Sequence, residues 1–245
     1  MRARRGPSCC RSSRRSGWRI PGFPPRAAAC RRSCSVERRP VALTRLSIFP
    51  LTGAILFPGL HLPLHIFEPR YRAMVSDALA RDRRIAMIQP QTPGEGAPLF
   101  SIGCVGRIDE VEALDDGRYN IVLEGESRFR IGRELDVATP FRQVEAELID
   151  DPEHEALSAV ERAGFEREAM HFADAQGYSV DWTSVSRLDD LSLINGVSQI
   201  APFDAAAKQA LLEAPDLATR CELLIQLMQF FARRDGDDDG RVTLQ

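Results

Sequence analysis

Few residues in this 245-residue chain are of types that do chemistry, and their spacing says what they cannot do. The histidines are His61, His65, His154 and His171, and the one lysine is Lys208. His61 and His65 stand four apart, a spacing that clamps a metal when both project from one helix turn. Pro63 lies between them and the flanking alternation reads as a strand. A strand holds them about 13 Å apart at roughly 3.3 Å per residue, too far for shared coordination. Both therefore read as strand-face residues with ordinary hydrogen bonds. A phosphate loop, G-x-x-x-x-G-K-[ST], needs a Lys after paired glycines so that backbone N–H groups and an ammonium converge on the phosphates. Lys208 sits instead in AAAKQALLE, a helical run, and the expectation is a solvated helix residue. A Ser-Lys dyad would have to use the same Lys208. No Gly-x-Ser-x-Gly elbow supports a Ser-His-Asp arrangement. Residues 235–240, DGDDDG, match the start of a calcium loop, but the bidentate Glu at position twelve has no counterpart, so an acidic solvated tail is expected.

The cysteines fit the same picture. Four of six (Cys9, Cys10, Cys30, Cys34) lie in an Arg-rich leader, with no His or second CxxC pair to complete a metal knuckle. Cys104 and Cys221 are isolated, which makes no disulfide framework and suggests a reducing cytoplasm. No metal, cofactor or catalytic group is expected.

Charge divides the chain. Residues 1–39 hold twelve Arg and one acid, Glu37, a net of +11; the rest holds 20 bases and 34 acids, a net of −14. The leader, residues 1–40, has no apolar period and is expected to be disordered. It reads as a transit peptide, as a basic tail, or as the product of a start assigned too early; we favour the last, with Val41 marking an alternative start. An acidic body argues against a phosphate-tracking surface, since nucleic-acid affinity rests on Lys and Arg. The most apolar stretch, residues 54–67, is broken by Pro58, Gly59 and Pro63 and is shorter than the roughly 20 residues of a membrane span.

Residues 43–49 read as a first strand and 60–67 as a second, with Leu62, Leu64 and Ile66 on one face and Pro63 at an edge or bulge. Glu68 and Pro69 open a helix whose apolar face is Tyr71, Met74, Val75, Ala78 and Leu79. Residues 85–88 form a short buried strand. Residues 102–114 and 119–131 pair through Asp115-Asp116-Gly117, a hairpin signal, with a bulge at Gly125. Val144, Ala146 and Leu148 give the last strand. Six strands with one inserted helix over residues 41–150 predict a small closed or half-closed barrel. Residues 151–234 then read as helices: 151–176 from Asp151 and Pro152, 187–199, 204–213, and 216–233, followed by the acidic tail, residues 235–245.

The order FPL, FPG, PLHIFEPRYR, GCVGRI, LEGESRFRI, and then SQIAPFDAAAKQALLEAPDLATRCELL resembles the N-terminal substrate-binding domain of the Lon protease. The resemblance runs over about residues 43–231, and PLHIFEPRYR is its most specific piece, which looks closer to the small stand-alone bacterial relatives than to full-length Lon. It implies an α+β fold: a PUA-like antiparallel β pseudo-barrel followed by a helical bundle that helps recognise polypeptide substrates. The ATPase and Ser-Lys protease of full-length Lon have no counterpart in these residues.

Three functions follow as expectations. The first is a non-catalytic adaptor or scaffold for unfolded or apolar polypeptide segments, or for a protease or chaperone partner. Its candidate contacts are Ile55, Leu56, Phe57 and Leu60, an apolar loop between the first two strands that reads equally as an exposed binding patch or as part of the core. The motif residues Pro58, Pro63, His65, Phe67, Glu68, Pro69, Arg70 and Tyr71 are read as structural, with Glu68 favouring the helix N-terminus and Arg70 paired locally. The second is an RNA-binding module, disfavoured by the acidic body. The third is an unrecognised enzyme, for which no constellation speaks.

Overall fold

The computed structural model describes residues 43–94, 96–149 and 156–238, with side chains to residue 232 in the last helix. The leader, Val41, Asp151, Pro152, His154 and most of the acidic tail lie outside the described residues. Six strands follow the alternating stretches: β1 (Leu43–Pro50), β2 (His61–Ile66), β3 (Arg84–Ile88), β4 (Ile102–Ala113), β5 (Tyr119–Leu135) and β6 (Gln143–Ile149). One helix, α1 (Pro69–Leu79), is inserted after β2; α2 (Ala159–Ala175), α3 (Trp182–Val185), α4 (Asp190–Ile200), α5 (Ala205–Glu213) and α6 (Leu217–Asp238) follow the last strand.

The strands run in the order β2-β5-β4-β3-β1-β6, and β5 also pairs with β6. The 17-residue β5 makes this closure possible. Residues 119–130 pair with β4 while residues 128–135 pair with β6, past a register shift between Ile131 and Arg133. Five strands thus form a ring with β2 at its margin. The expected antiparallel barrel carries one parallel pair, β1 with β3, because the chain crosses over through β2 and α1 between them. Leu46, Ile48, Ala86, Ile88, Val105, Phe129, Val144 and Ala146 pack as one cluster to which every ring strand contributes. Tyr71, Met74, Val75 and Ala78 of α1 cover the opposite faces of the same strands, against Phe49, Ile85, Met87, Cys104 and Ile108. That two-sided burial explains why IAMI is continuously apolar.

Two glycines are set by geometry. Gly117 turns the β4–β5 hairpin at φ +77. Gly125 admits no side chain, since a Cβ there would lie 2.2 Å from the Phe57 carbonyl oxygen. The β1–β2 loop presses on β5 at this point: Gly59 N–H donates to Gly125 O and Gly125 N–H to Leu60 O, both at 2.8 Å.

At the free margin, β2 withholds a donor at Pro63 and its His61 carbonyl is taken by Gln199 Nε2 at 2.9 Å, so the edge is blunted against strand addition. The helices begin at side-chain caps. Asp189, Asp204 and Asp216 accept from N–H groups of their own first turns. The first of the later helices does not start at Asp151-Pro152 as expected. It starts at Ser158, which with Glu161 forms a reciprocal capping box, while residues 156–158 stay outside any helix. The single turn α3 was not anticipated, and α6 continues past Arg233 to Asp238.

Candidate functional site

The barrel and the helices meet through one apolar core in which Ile55, Phe57 and Ile102 pack against Phe165, Phe172, Leu193, Ile194, Leu211 and Leu224. The loop between the first two strands is the mortar of this joint. Ile55 is 6% exposed, Leu56 1% and Phe57 0%, and Leu60 is half-buried against the same helical core. They therefore present no open apolar patch: the helical half covers Ile55, Phe57 and Leu60, while Leu56 packs into the cluster shared by α1 and the barrel strands. Polar groups fix the joint. Gln199 Oε1 accepts from Phe57 N–H at 3.1 Å, and Asn195 Nδ2 donates to Pro58 O at 3.0 Å.

Three cations cap helix C-termini at the joint. The buried Arg128 of β5 donates from Nη1 to Leu212 O at 2.8 Å and to Ala214 O, at the end of α5. Arg220 of α6 donates to Leu211 O at 3.0 Å and to Asn195 Oδ1 at 2.8 Å. Lys208 donates to Gln199 O at 2.6 Å. Cations placed there complete orphan carbonyls and suit the negative end of the helix dipole. Lys208 is therefore half-buried rather than solvated, and burial lowers its pKa. Its amine is committed to a backbone carbonyl. Sequence reading missed Arg128, Asn195 and Arg220, since nothing in a linear pattern marks a polar residue as buried.

A cleft of about 720 Å³ lies on one rim of the barrel. Its walls are the end of β1 with Leu51 and Thr52, the first turn of α1, the β3–β4 loop and the β5–β6 connection. Gln89, itself buried, shapes the first wall by accepting from Gly53 N–H and donating to Leu51 O and Ala54 O. Glu68 is the N-cap of α1, and its backbone oxygen accepts from Tyr71 and Arg72. Its carboxylate holds Arg70 at 2.9 Å, and the Arg70 guanidinium lies over the Tyr71 ring, 4.6 Å from the centroid. Tyr71 in turn packs on Phe49, ring to ring at 4.3 Å. Across the cleft Arg142 forks onto Glu134 at 2.6 and 2.7 Å and donates to Ala97 O at 3.1 Å, tying two loops together. That fork holds the Glu134 carboxyl below its ordinary range and raises Arg142.

The expected structural reading of Glu68 and Arg70 thus describes their local pairing, and the same residues form a wall of this cleft. The facing wall, with Leu135, Asp136, Val137, Pro140 and Phe141, was not anticipated. Its signal was present: a strand connection richer in apolar residues than a turn requires. Thr139 donates its hydroxyl proton to Phe141 O and accepts from Gln143. Among the described residues no group of three His, Cys, Asp or Glu is placed to hold a metal. Cys104 and Cys221 are buried and form no disulfide with each other, and burial pushes the Cys221 thiol up to about 11, which keeps it protonated.

Of the remaining motif residues, Pro63, His65 and Phe67 face outward. Pro63 and His65 line a shallower hollow of about 470 Å³ on the β2–β5–β4 surface, with Phe67 stacked beside His65 and 60% exposed. Both ring nitrogens of His65 are engaged: Nδ1 donates to Asn120 Oδ1 at 2.7 Å and Nε2 accepts from Arg118 at 3.3 Å. His61 faces Asp109 instead, at 4.0 Å, so the two histidines share no partner. Pro58 is buried in the joint, and Pro69 occupies the first helical position of α1.

A five-strand ring with β2 at its margin, joined to a helical bundle and carrying a rim cleft, defines the fold class. The chain belongs to the family of the ATP-dependent protease La (LON) substrate-binding domain, whose model matches residues 45–229. It is 28% identical over 198 residues to Lon protease 2 of Myxococcus xanthus and 31% identical over 185 residues to Lon protease of Salinispora arenicola. Each match covers 75% of this chain but 23% of the relative, so the chain spans about a quarter of their length. The fold is that of the Lon N-terminal domain protein from Xanthomonas campestris (TM-score 0.58, 21% identity, 75% of this chain and 98% of that one). It is equally that of the N-terminal domain of Mycobacterium avium complex Lon protease (TM-score 0.59, 24% identity, 76% and 98%). No helix among the described residues is long and apolar enough to cross a membrane.

Proposed function

We propose that this chain is a recognition module that binds polypeptide segments and carries out no reaction of its own, acting as an adaptor or scaffold beside a protease or chaperone. The observation that carries this reading is the match of residues 45–229 to a protease's substrate-binding domain, since a protease's substrate is polypeptide. The rim cleft is the seat we assign. It is concave, half apolar, walled by side chains already locked in ion pairs, and lined by the family's marker residues Glu68, Arg70 and Tyr71. Preorganised walls lower the ordering cost of binding an extended chain. The setting we infer is the cytoplasm, with Cys104 and Cys221 as reduced thiols.

The test is fluorescence anisotropy of a labelled, permanently unfolded polypeptide titrated with the whole protein, beside a labelled single-stranded RNA. Saturable binding of the polypeptide, weakened by Thr52→Arg at the cleft mouth, is expected. No polypeptide binding, or an RNA affinity exceeding it, would overturn the proposal.

A further inference from the structure

We infer that the rim cleft selects polypeptide segments that set a cationic group beside an apolar side chain. This rests on the polypeptide-binding reading and adds what the segment must look like. The apolar part follows from Leu51, Tyr71, Val137 and Phe141 in the walls. The charge preference follows from how the ionised groups are engaged. Both lining guanidiniums are held in place: Arg142 by the Glu134 fork and the Ala97 carbonyl, Arg70 by Glu68 and the Tyr71 ring. Asp136 has no hydrogen bond or ion pair among the described residues and is exposed at the same wall. The ionised groups of the described lining are three acids and two bases, so the cleft presents one uncompensated carboxylate.

Arg70 shows on a small scale what the cleft suits. Its guanidinium sits between a carboxylate and an aromatic face. A ligand cation placed against Asp136, with its neighbouring side chain on Phe141 or Val137, would repeat that arrangement on the opposite wall. The long-range field acts in the same direction. Outside residues 1–39 the chain carries 34 acids and 20 bases, which attracts basic segments and repels acidic ones. Two chemical sources supply the cation, a Lys or Arg side chain and a free polypeptide N-terminus.

The experiment uses the whole protein and short labelled peptides of one apolar composition, blocked at the N-terminus, carrying two Lys, no charge, or two Glu. A fourth peptide is uncharged in its side chains but has a free amine. Each is titrated against the wild type and Asp136→Arg, whose exposed position should leave the thermal midpoint unchanged. Comparing the two proteins cancels whatever the basic residues 1–39 contribute. In the wild type, the Lys peptide is expected to bind about fivefold more tightly than the uncharged one. That advantage is expected to vanish in Asp136→Arg and to shrink at about 0.5 M salt. A matching gain by the free-amine peptide identifies the N-terminus as a cation source; no such gain, with the Lys advantage intact, assigns the role to side chains. Equal affinity for all peptides, or a Lys advantage that survives Asp136→Arg, overturns this inference and leaves polypeptide binding standing. Failure of every peptide to bind overturns both.

Discussion

Phe57 shows how one side chain changes meaning when the whole chain is folded. In sequence it sits between glycines and prolines, where an apolar residue reads as a surface lure or as core. In the structure it is wholly enclosed by residues from helices that begin about a hundred positions later. Local pattern left exposure and burial equally open here, because it carries no information about what arrives later to cover a loop. Truncating a fully buried Phe costs both transfer and cavity energy, and Phe57→Ala is expected to destabilise the protein by about 3–5 kcal/mol in urea unfolding. Phe67→Ala, at an exposed position, is expected to change stability by no more than about 0.5 kcal/mol. Arg128 poses the complementary case. Arg128→Met would leave buried carbonyls of α5 without their donor, a loss of about 3 kcal/mol in the same assay. Arg128→Lys is not expected to restore it fully, because an ammonium lacks the second nitrogen through which Arg128 Nη2 also donates to Pro215 O at 3.3 Å.

Periodicity and punctuation made most elements readable. The Asp-Gly turn, the Pro at the start of α1 and the alternation in β5 each have a local physical cause, and each is where it was expected. Most of what was missed depends on partners. The parallel β1–β3 pair and the closure of β5 onto β6 are decided by distant contacts, whereas α3 opens on a local cap in which Asp181 accepts from the Thr183 and Ser184 N–H groups. The start of α2 was a local error: Asp151-Pro152 resembles a helix start, but Ser158 and Glu161 satisfy each other's backbone donors and win. Ser158→Ala is expected to cost about 1 kcal/mol, with hydrogen exchange accelerated in the first turn of α2. The cap carboxylates also set the acid sensitivity. Hydrogen bonds from Ser192 and Thr219 lower Asp189 and Asp216 below their ordinary values, as the Ser158 cap lowers Glu161. A carboxyl with a depressed folded pKa contributes stability that is full above its unfolded value of about 4 and lost as pH falls through the folded one. The thermal midpoint is therefore expected to stay level down to about pH 4 and to fall below it, by a smaller amount in Ser158→Ala.

At the scale of the whole molecule, the shared core makes the barrel and the helices dependent on one another. Residues 41–150 and 151–234 looked like two blocks, because the pattern switches from strands to helices between them. The described residues of both share one core through Phe57 and Ile102, and Arg128 ties β5 to the end of α5. Cys104 lies in the barrel and Cys221 in the helices, both buried, so thiol labelling along a urea titration, resolved by peptide mass, reads the two halves separately. Both thiols are expected to become reactive at one urea concentration. Labelling of Cys221 well before Cys104 would show that the joint does not couple them. The candidate site was half legible for the same reason. Glu68, Arg70 and Tyr71 stand in one contiguous motif, whereas the facing wall at residues 134–142 joins them only when the ring closes.

The central claim is that polypeptide binds at this rim and not on the covered loop. Amide hydrogen exchange of the whole protein, with and without a saturating unfolded polypeptide, tests it most directly. Added protection is expected at Leu51, Thr52, Arg70, Tyr71 and residues 135–142, with the loop at residues 55–60 unchanged. Protection confined to the β2–β5–β4 surface or the helices, or no protection at saturation, would contradict it.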